Sequence, residues 1–323
     1  MNPRPSGYHS ILVTGSEGYI GRLVLEALAA DPGELTTIVA LDLRETTRPL
    51  PGVIHVALDI RSPELARVMA EHGVQAAVHL AAVVNPGKKP DRELLHSVEV
   101  GGTENLLQAA LAAGVDKVIY TSSGAAYGYY ADNAAWLDEN DPIRGNPEFI
   151  YSDHKRQVEE LLAAWRQEHP ELKQLILRPG TILGATAHNQ ITALFDGRAV
   201  VGLAGAESPF VLIWDQDVVG AILRGIAHDQ SGIYNLAGDG ILTMRQMAAL
   251  LGKPYLSLPV GLVKAALALL KKLSLTPYGP EQVNFLRYRP VLANRRLKEE
   301  FGYVPQKTTR QVFDYFRETR HGA

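Results

Sequence analysis

A short apolar strand, Ile11-Leu12-Val13, runs straight into Thr14-Gly15-Ser16-Glu17-Gly18-Tyr19-Ile20-Gly21, and few local sequences narrow the choice of fold so far. Gly15 suits the tight turn out of the strand, Gly18 leaves the backbone bare where a pyrophosphate approaches, and Gly21 lets the following helix lie close on a sheet. The unpaired N–H groups at the start of that helix then face the anion.

The surrounding pattern supports a dinucleotide. From Tyr19 to Ala30, residues Ile20, Leu23, Val24, Ala27 and Leu28 share one helical stripe, and Asp31-Pro32-Gly33 stops it. A second strand, Thr37-Ile38-Val39-Ala40-Leu41, ends at Asp42, 21 residues past Gly21. A ribose-binding carboxylate is expected at about 20 residues beyond the glycines. Asp42 would accept hydrogen bonds from the adenosine ribose hydroxyls and repel a 2′-phosphate, which favours NAD over NADP. Arg44, two residues on, is a cation able to hold that phosphate, so NADP stays as the alternative.

With 323 residues, 46% hydrophobic and 21% charged, the chain has room for one large globular domain and a smaller one. Its formal net charge of −3 gives no electrostatic reason to expect nucleic acid. The absence of cysteine excludes disulfides, thiolate metal sites and cysteine nucleophiles, and fits a reducing cytoplasm. Met1 to Gly7 lead into the first strand without an apolar core of signal-peptide length, so no exported segment is expected. The longest apolar stretch, Pro259 to Leu275, is interrupted by Lys264, Lys271 and Lys272. It falls short of the ~20 apolar residues of a membrane span and reads as a helix packed in the C-terminal part, with contact to a membrane interface as the second reading.

Strands and helices alternate as βαβ units through the first half, which calls for a parallel α/β sheet covered by helices on both faces. Further strands are expected at Val53 to Leu58, Ala76 to Leu80, Lys117 to Thr121 and Gln174 to Leu177, and helices at Glu64 to His72, Asp91 to Ala113 and Tyr151 to His169. Gly73 and Gly114 sit where a left-handed residue closes a helix. Beyond Pro179, short strands at Phe210 to Ile213 and Ile233 to Leu236 alternate with helices at Asp217 to His228 and Thr243 to Leu251, and Thr243 with Gln246 makes a capping box. The reading is a Rossmann-type doubly wound sheet over residues 1–180 and a smaller substrate-binding α/β domain over 181–323. The two interleave, because Ile233 to Leu236 is free to return to the main sheet.

Tyr151-Ser152-Asp153-His154-Lys155 places a phenol and an ammonium one turn apart on one helical face. An ammonium beside a phenol is expected to stabilise the phenolate and lower its pKa, making Tyr151 a proton acceptor for a substrate hydroxyl. Lys155 would also hold nicotinamide ribose hydroxyls. The strand Val118-Ile119-Tyr120 ends in Thr121-Ser122-Ser123 at the sheet's carboxyl edge, where open α/β folds bind ligands, and a hydroxyl there would steer the reacting oxygen.

Glycine loop, Asp42, Ser123 and Tyr151/Lys155, in this order and spacing, resemble an extended short-chain dehydrogenase/reductase of the NAD-dependent epimerase/dehydratase type, over nearly the whole chain. Asp59-Ile60 is similar to the family's adenine-binding Asp and its neighbour, and His79-Leu80-Ala81-Ala82 resembles its HxAA strand end. Thr121 to Gly128 resembles TSSxxxYG, Leu177-Arg178-Pro179 with Gly184 resembles RPxxxxG, and Arg296 to Pro305 resembles its closing helix and LGW-type turn. The resemblance implies Ser123, Tyr151 and Lys155 as catalytic residues. It implies cofactor contacts from Gly15, Glu17, Gly18, Tyr19, Ile20, Asp42, Arg44, Asp59, Ile60, Leu80, Ala81, Ala82, Thr121, Tyr151, Lys155 and Pro179.

Two departures from the family pattern stand out. Glu99 begins Glu99-Val100-Gly101-Gly102-Thr103 where the family usually has Asn, which is either a surface change or a second acid near Lys155. The segment Ser208 to Val218 lacks the Arg that nucleotide-sugar members usually carry there. His188 and Asn189 read either as a solvated loop or as a substrate contact from the sheet edge, and Trp214 reads as a half-buried aromatic. No histidine spacing suits a metal, and none is expected. Leu106, Leu107, Ala110 and Leu111, with Val158, Leu161, Leu162 and Trp165, form apolar helix faces that the resemblance assigns to a homodimer, unless they simply cover the sheet.

The leading expectation is therefore an NAD-dependent enzyme moving hydride at a secondary hydroxyl or carbonyl of a sugar or sugar-derived small molecule, with Tyr151 as acid and base. The alternatives are a dehydrogenase or reductase of a lipophilic, non-sugar alcohol or ketone and, less favoured because the Tyr/Lys pair is complete, a non-catalytic NAD-binding module.

Overall fold

Thirteen strands and twelve α-helices make up the described part of the chain, residues 5–83, 91–187, 190–273, 275–276 and 279–321 of a computed structural model. The strands are β1 (Ser10–Thr14), β2 (Thr37–Asp42), β3 (Val53–Ala57), β4 (Ala76–His79), β5 (Lys117–Thr121), β6 (Lys173–Pro179), β7 (Thr181–Leu183), β8 (Val200–Leu203), β9 (Pro209–Phe210), β10 (Leu212–Trp214), β11 (Gly232–Leu236), β12 (Leu242–Thr243) and β13 (Tyr255–Leu258). The helices are α1 (Tyr19–Ala30), α2 (Leu65–Glu71), α3 (Arg92–His96), α4 (Gly102–Ala112), α5 (Ile150–Glu168), α6 (Gln190–Ala193), α7 (Asp215–Ala227), α8 (Met244–Leu250), α9 (Val260–Lys272), α10 (Gln282–Arg287), α11 (Arg295–Glu299) and α12 (Thr309–His321).

Seven strands pair in parallel in the order β3-β2-β1-β4-β5-β6-β11. Their interiors are apolar because both faces are covered. One face carries Val24, Leu25 and Leu28 of α1, Val218 and Ile222 of α7, and Leu297 of α11 with Phe301 just after it. The opposite face carries Leu65 and Met69 of α2, Leu106 and Leu107 of α4, and Val158 and Leu162 of α5. Strand order reverses between β1 and β4, and a crevice opens outside the carboxyl ends of strands at such a reversal.

β11 returns to the main sheet beside β6, so a cut near residue 180 does not divide the sheet. The remaining strands form three two-stranded ribbons, β7–β10, β8–β13 and β9–β12, around a separate core holding Phe210, Met244, Met247 and Phe313. The Phe210 to Ile213 stretch divides between β9 and β10, which belong to different ribbons. The capping box of Thr243 and Gln246 forms, and Gly73 and Gly114 take the left-handed conformation at helix ends.

Three expectations need correction. The helix expected over Asp91 to Ala113 is interrupted by a π turn, Ser97–Gly101, between α3 and α4. The extra residue per turn rotates Glu99 inward, where it is buried rather than on the surface. Of the apolar faces assigned to a dimer, Leu106, Leu107, Ala110, Val158 and Leu162 are buried within this one chain against the sheet. Only Leu111, Leu161 and Trp165 keep partial exposure. Lastly, α9 is packed along one stripe only: Val260, Val263 and Leu267 are half-buried, and none of its residues is fully buried.

Candidate active site

The glycine loop forms because nothing larger fits. Gly15 has φ +67°, and a Cβ there would stand 2.6 Å from the backbone nitrogen of Ala81; one at Gly21 would stand 2.2 Å from the Gly15 carbonyl oxygen. Strand β1, helix α1 and the Leu80-Ala81 turn after β4 therefore meet at backbone-to-backbone distance. Gly18, the residue before α1, makes no side-chain cap and leaves the helix start open.

At the end of β2, Asp42 accepts the Glu17 N–H at 3.0 Å and the Arg44 N–H at 3.1 Å, which holds its carboxylate against the loop. The Arg44 guanidinium lies back over the same loop, donating to the Glu17 carbonyl at 2.9 Å. Glu17 Oε1 is buried without a hydrogen-bond partner among the described residues, and so is Thr121 Oγ1 at the end of β5. An orphaned carboxylate oxygen in the glycine loop and an orphaned hydroxyl at the end of β5 are what a polar ligand along the sheet's carboxyl edge would be needed to satisfy. The residues present thus fit a dinucleotide. Asp59 is held by Arg61, whose Nη2 lies 2.6 Å from it, and Ile60 packs beneath Gly102 of α4.

Tyr19 and Ile20 open α1. The Tyr19 phenol reaches across to the first residue of α7, donating to Asp215 Oδ2 at 2.5 Å. A Cβ at Gly184 would fall on that carboxylate, so Gly184 makes the link possible. The Tyr19 side chain accordingly joins the two halves of the chain. His188 and Asn189 lie outside the described residues.

The structure brings Thr121, Ser123, Tyr151 and Lys155 together. Ser123 ends the strand segment as the cap of a 3₁₀ turn, Gly124–Tyr127, accepting the Ala125 N–H at 3.1 Å, and its hydroxyl is close enough to the Tyr151 phenol to favour the phenolate. Lys155 Nζ, one turn along α5, donates to the Tyr120 hydroxyl at 2.8 Å and the Thr121 carbonyl at 2.9 Å, and stands 5.7 Å from the centre of the Tyr151 ring.

This corrects the expected effect on Tyr151. Burial pushes its phenol up to about 12, Ser123 pulling it down and Glu99 and Tyr129 pushing it further up. The ammonium faces Tyr120 instead. Burial also pushes Lys155 down to about 8, against the pull of the Glu99 and Glu159 carboxylates.

Glu99 is the second acid near Lys155. Its Oε2 lies 2.7 Å from His154 Nδ1, and its Oε1 accepts the Val83 N–H at 3.1 Å, pinning the chain after Leu80-Ala81-Ala82. His79, buried between the Thr14 and Thr103 hydroxyls, is pushed down to about 3 by burial and then by the Lys155 charge, and is neutral at ordinary pH. Below the site, Arg178 and Glu159 form a buried pair at 2.5 Å; Ser122 bonds the same carboxylate, and Arg178 Nη1 reaches the Tyr127 hydroxyl at 2.7 Å. The family-like Arg178-Pro179 thus supports Ser122-Ser123 from beneath.

One residue escaped the sequence reading. Arg289 donates to Thr181 Oγ1 at 2.9 Å and lies 4.0 Å over the Phe210 ring, in the very segment that lacks an arginine of its own. Its Nη1 is buried without a hydrogen-bond partner among the described residues, and burial pushes the guanidinium down to about 10. The only available signal was its place before Pro290, 79 residues from Phe210, which no local pattern connects. Trp214 lies at the edge of the second core, under Lys307 at 4.4 Å.

The seven-stranded order, the glycine turn and the hydroxyl–phenol–ammonium group define an α/β nucleotide-binding enzyme. The model of the NAD dependent epimerase/dehydratase family matches residues 11–237, and the chain belongs to that family. It is 26% identical over 313 residues to an uncharacterised protein of Mycobacterium tuberculosis, covering 95% of this chain and 83% of the relative. It is 29% identical over 247 residues to the N-acetyl-alpha-D-glucosaminyl-diphospho-ditrans,octacis-undecaprenol 4-epimerase of Escherichia coli O157:H7, covering 74% and 70%. Among solved structures, the UDP-glucose 4-epimerase of Thermus thermophilus in complex with NAD superposes with a TM-score of 0.71 at 25% identity, covering 95% of this chain and 99% of that one.

Proposed function

We propose that the protein binds NAD and interconverts a secondary hydroxyl and a carbonyl on a sugar or sugar-derived substrate that carries an anionic group. The observation that carries this is Lys155 Nζ, bound to the Thr121 carbonyl at the end of β5 and 5.7 Å from the centre of the Tyr151 ring, with Ser123 beside the same phenol. Bound NAD supplies the hydride acceptor and donor. Asp42 favours it over NADP, because the guanidinium best placed to hold a 2′-phosphate, that of Arg44, is tied to the Glu17 carbonyl and to Asp42 itself.

Tyr151 holds its proton at rest, so in the reducing direction it is ready to donate to a substrate oxygen while Ser123 bonds the same oxygen. In the oxidising direction the phenol takes the proton back. Lys155, anchored on Tyr120 and Thr121, sets the positive field at the floor of the site and is positioned for ribose hydroxyls. Arg289, with one amino group unspent, takes the substrate's anion, and a diphosphate would occupy it as a charge-assisted acceptor.

A dehydrogenase or reductase acting on a lipophilic alcohol or ketone is the second reading, favoured by the exposed leucines of α9. A homodimer and a cytoplasmic location complete the proposal; Leu111, Leu161 and Trp165 are the partly exposed apolar residues available to such a dimer, and the chain has no cysteine.

The test is incubation with NAD and panels of sugars, nucleotide sugars and hydrophobic alcohols, with wild type and Tyr151→Phe compared. Turnover should fall about 10²–10⁴-fold in the variant while NAD affinity is kept. An active Tyr151→Phe protein would overturn the proposal.

A further inference from the structure

Helix α9 stands apart from every other long helix here. Val260, Val263 and Leu267, on one stripe, are half-buried toward the protein. Leu262, Leu269 and Leu273 occupy the opposite stripe at 58%, 58% and 57% exposure, and Leu275 follows at 69%. Leu256 of the adjoining β13 and Val201 of its partner β8 are exposed as well. Scattered apolar residues on a surface need no explanation, but a continuous stripe does.

Charge identifies the occupant. From Pro254 to Pro280 the charged residues are Lys264, Lys271 and Lys272, with no carboxylate, in a chain whose formal net charge is −3. Lys264 and Lys271 follow Val260 and Leu267 by one turn, Lys272 flanks the leucine stripe, and the nearest acid, Glu281, already holds Lys271 at 3.0 Å. A helix with leucines along one side, lysines beside and behind them and no acid of its own matches the interface of a membrane with an anionic surface, where leucines enter the acyl boundary and long lysine side chains at the flank meet phosphate. No helix among the described residues is long and apolar enough to cross a membrane.

The helix also leads to the site. Lys271 ties it to the segment that begins α10, and Phe285 of α10 packs 5.0 Å from Tyr129 and 4.7 Å from the Arg289 guanidinium. Tyr129 and Phe149, in turn, pack beside Tyr151.

We infer that α9 docks on an anionic lipid bilayer and that the substrate is borne on a lipid, its polar end reaching Arg289 and Tyr151 from the membrane side. The substrate half of this rests on the function proposed above; the docking half does not. Co-sedimentation of the whole protein with phosphatidylcholine vesicles, with and without phosphatidylglycerol, separates them when NAD affinity is measured on the same preparations. The wild type should pellet with the anionic vesicles and about tenfold less with neutral ones or at high salt. A Leu262→Ser/Leu269→Ser/Leu273→Ser variant should stay in solution while keeping the wild-type melting temperature and NAD affinity.

A wild type that remains in solution with anionic vesicles overturns the inference. So does a triple variant that pellets equally, and so does light scattering that shows a dimer for the wild type and a monomer for the variant, which would assign the face to a second copy. Loss of NAD binding with vesicle binding intact would sink the functional reading alone.

Discussion

At the carboxyl edge of the sheet, polar side chains have left water and bond one another; on α9, leucines stand in water with nothing over them. Glu159, Arg178, Ser122 and Tyr127 form one buried network, and Glu99 and His154 another. Each such group is costly to bury alone, so the arrangement holds only while its partners are present. On α9 the side chains contribute little to the fold. The contrast separates residues that keep the protein folded from residues free to meet something outside it.

The contrast can be broken at several points. The largest effect is expected on acidification. His79 has a folded value near 3 against an ordinary value near 6.5, so between those limits the unfolded chain binds a proton that the folded one refuses. Stability is therefore full above about pH 6.5 and falls as pH drops toward 3, by up to roughly 5 kcal/mol from this group. Melting curves of wild type and His79→Gln across that range should diverge, the variant losing less; parallel curves would show that the imidazole is not held neutral.

Next, Glu159→Gln leaves Arg178 charged and unpaired in the core, and chemical denaturation should report a loss of about 3–5 kcal/mol. A loss below about 1 kcal/mol would mean that water reaches the pair. Smaller again, Arg289→Met should weaken binding of an anionic substrate by about 1.5–3 kcal/mol while leaving NAD affinity unchanged, which calorimetry can separate. Smallest of all, serine at Leu262 or Leu269 should change stability by no more than about 0.5 kcal/mol. A larger loss would mean that the stripe packs against this chain after all.

Much of the cofactor half was legible because its signals are local. Period and punctuation placed β1 to β6 within a residue or two, and the glycine spacing foretold a turn that only glycine can make. Tyr151 and Lys155 were one turn apart wherever the helix went. What misled was direction. An ammonium four residues from a phenol was expected to face it, yet the buried Tyr120 hydroxyl and the Thr121 carbonyl captured it first. Similarly, Leu106 and Val158 look the same in sequence whether they face a partner or a sheet.

The sequence alone determined which backbone shapes were possible, through glycine, alternating apolar residues and capping side chains, all acting over a few residues. Tertiary structure alone decided who faces whom: Glu99 turned inward by a π turn, Arg289 brought over Phe210 from far along the chain, and α9 left uncovered. Burial and pairing depend on neighbours distant in sequence, and no local pattern records them.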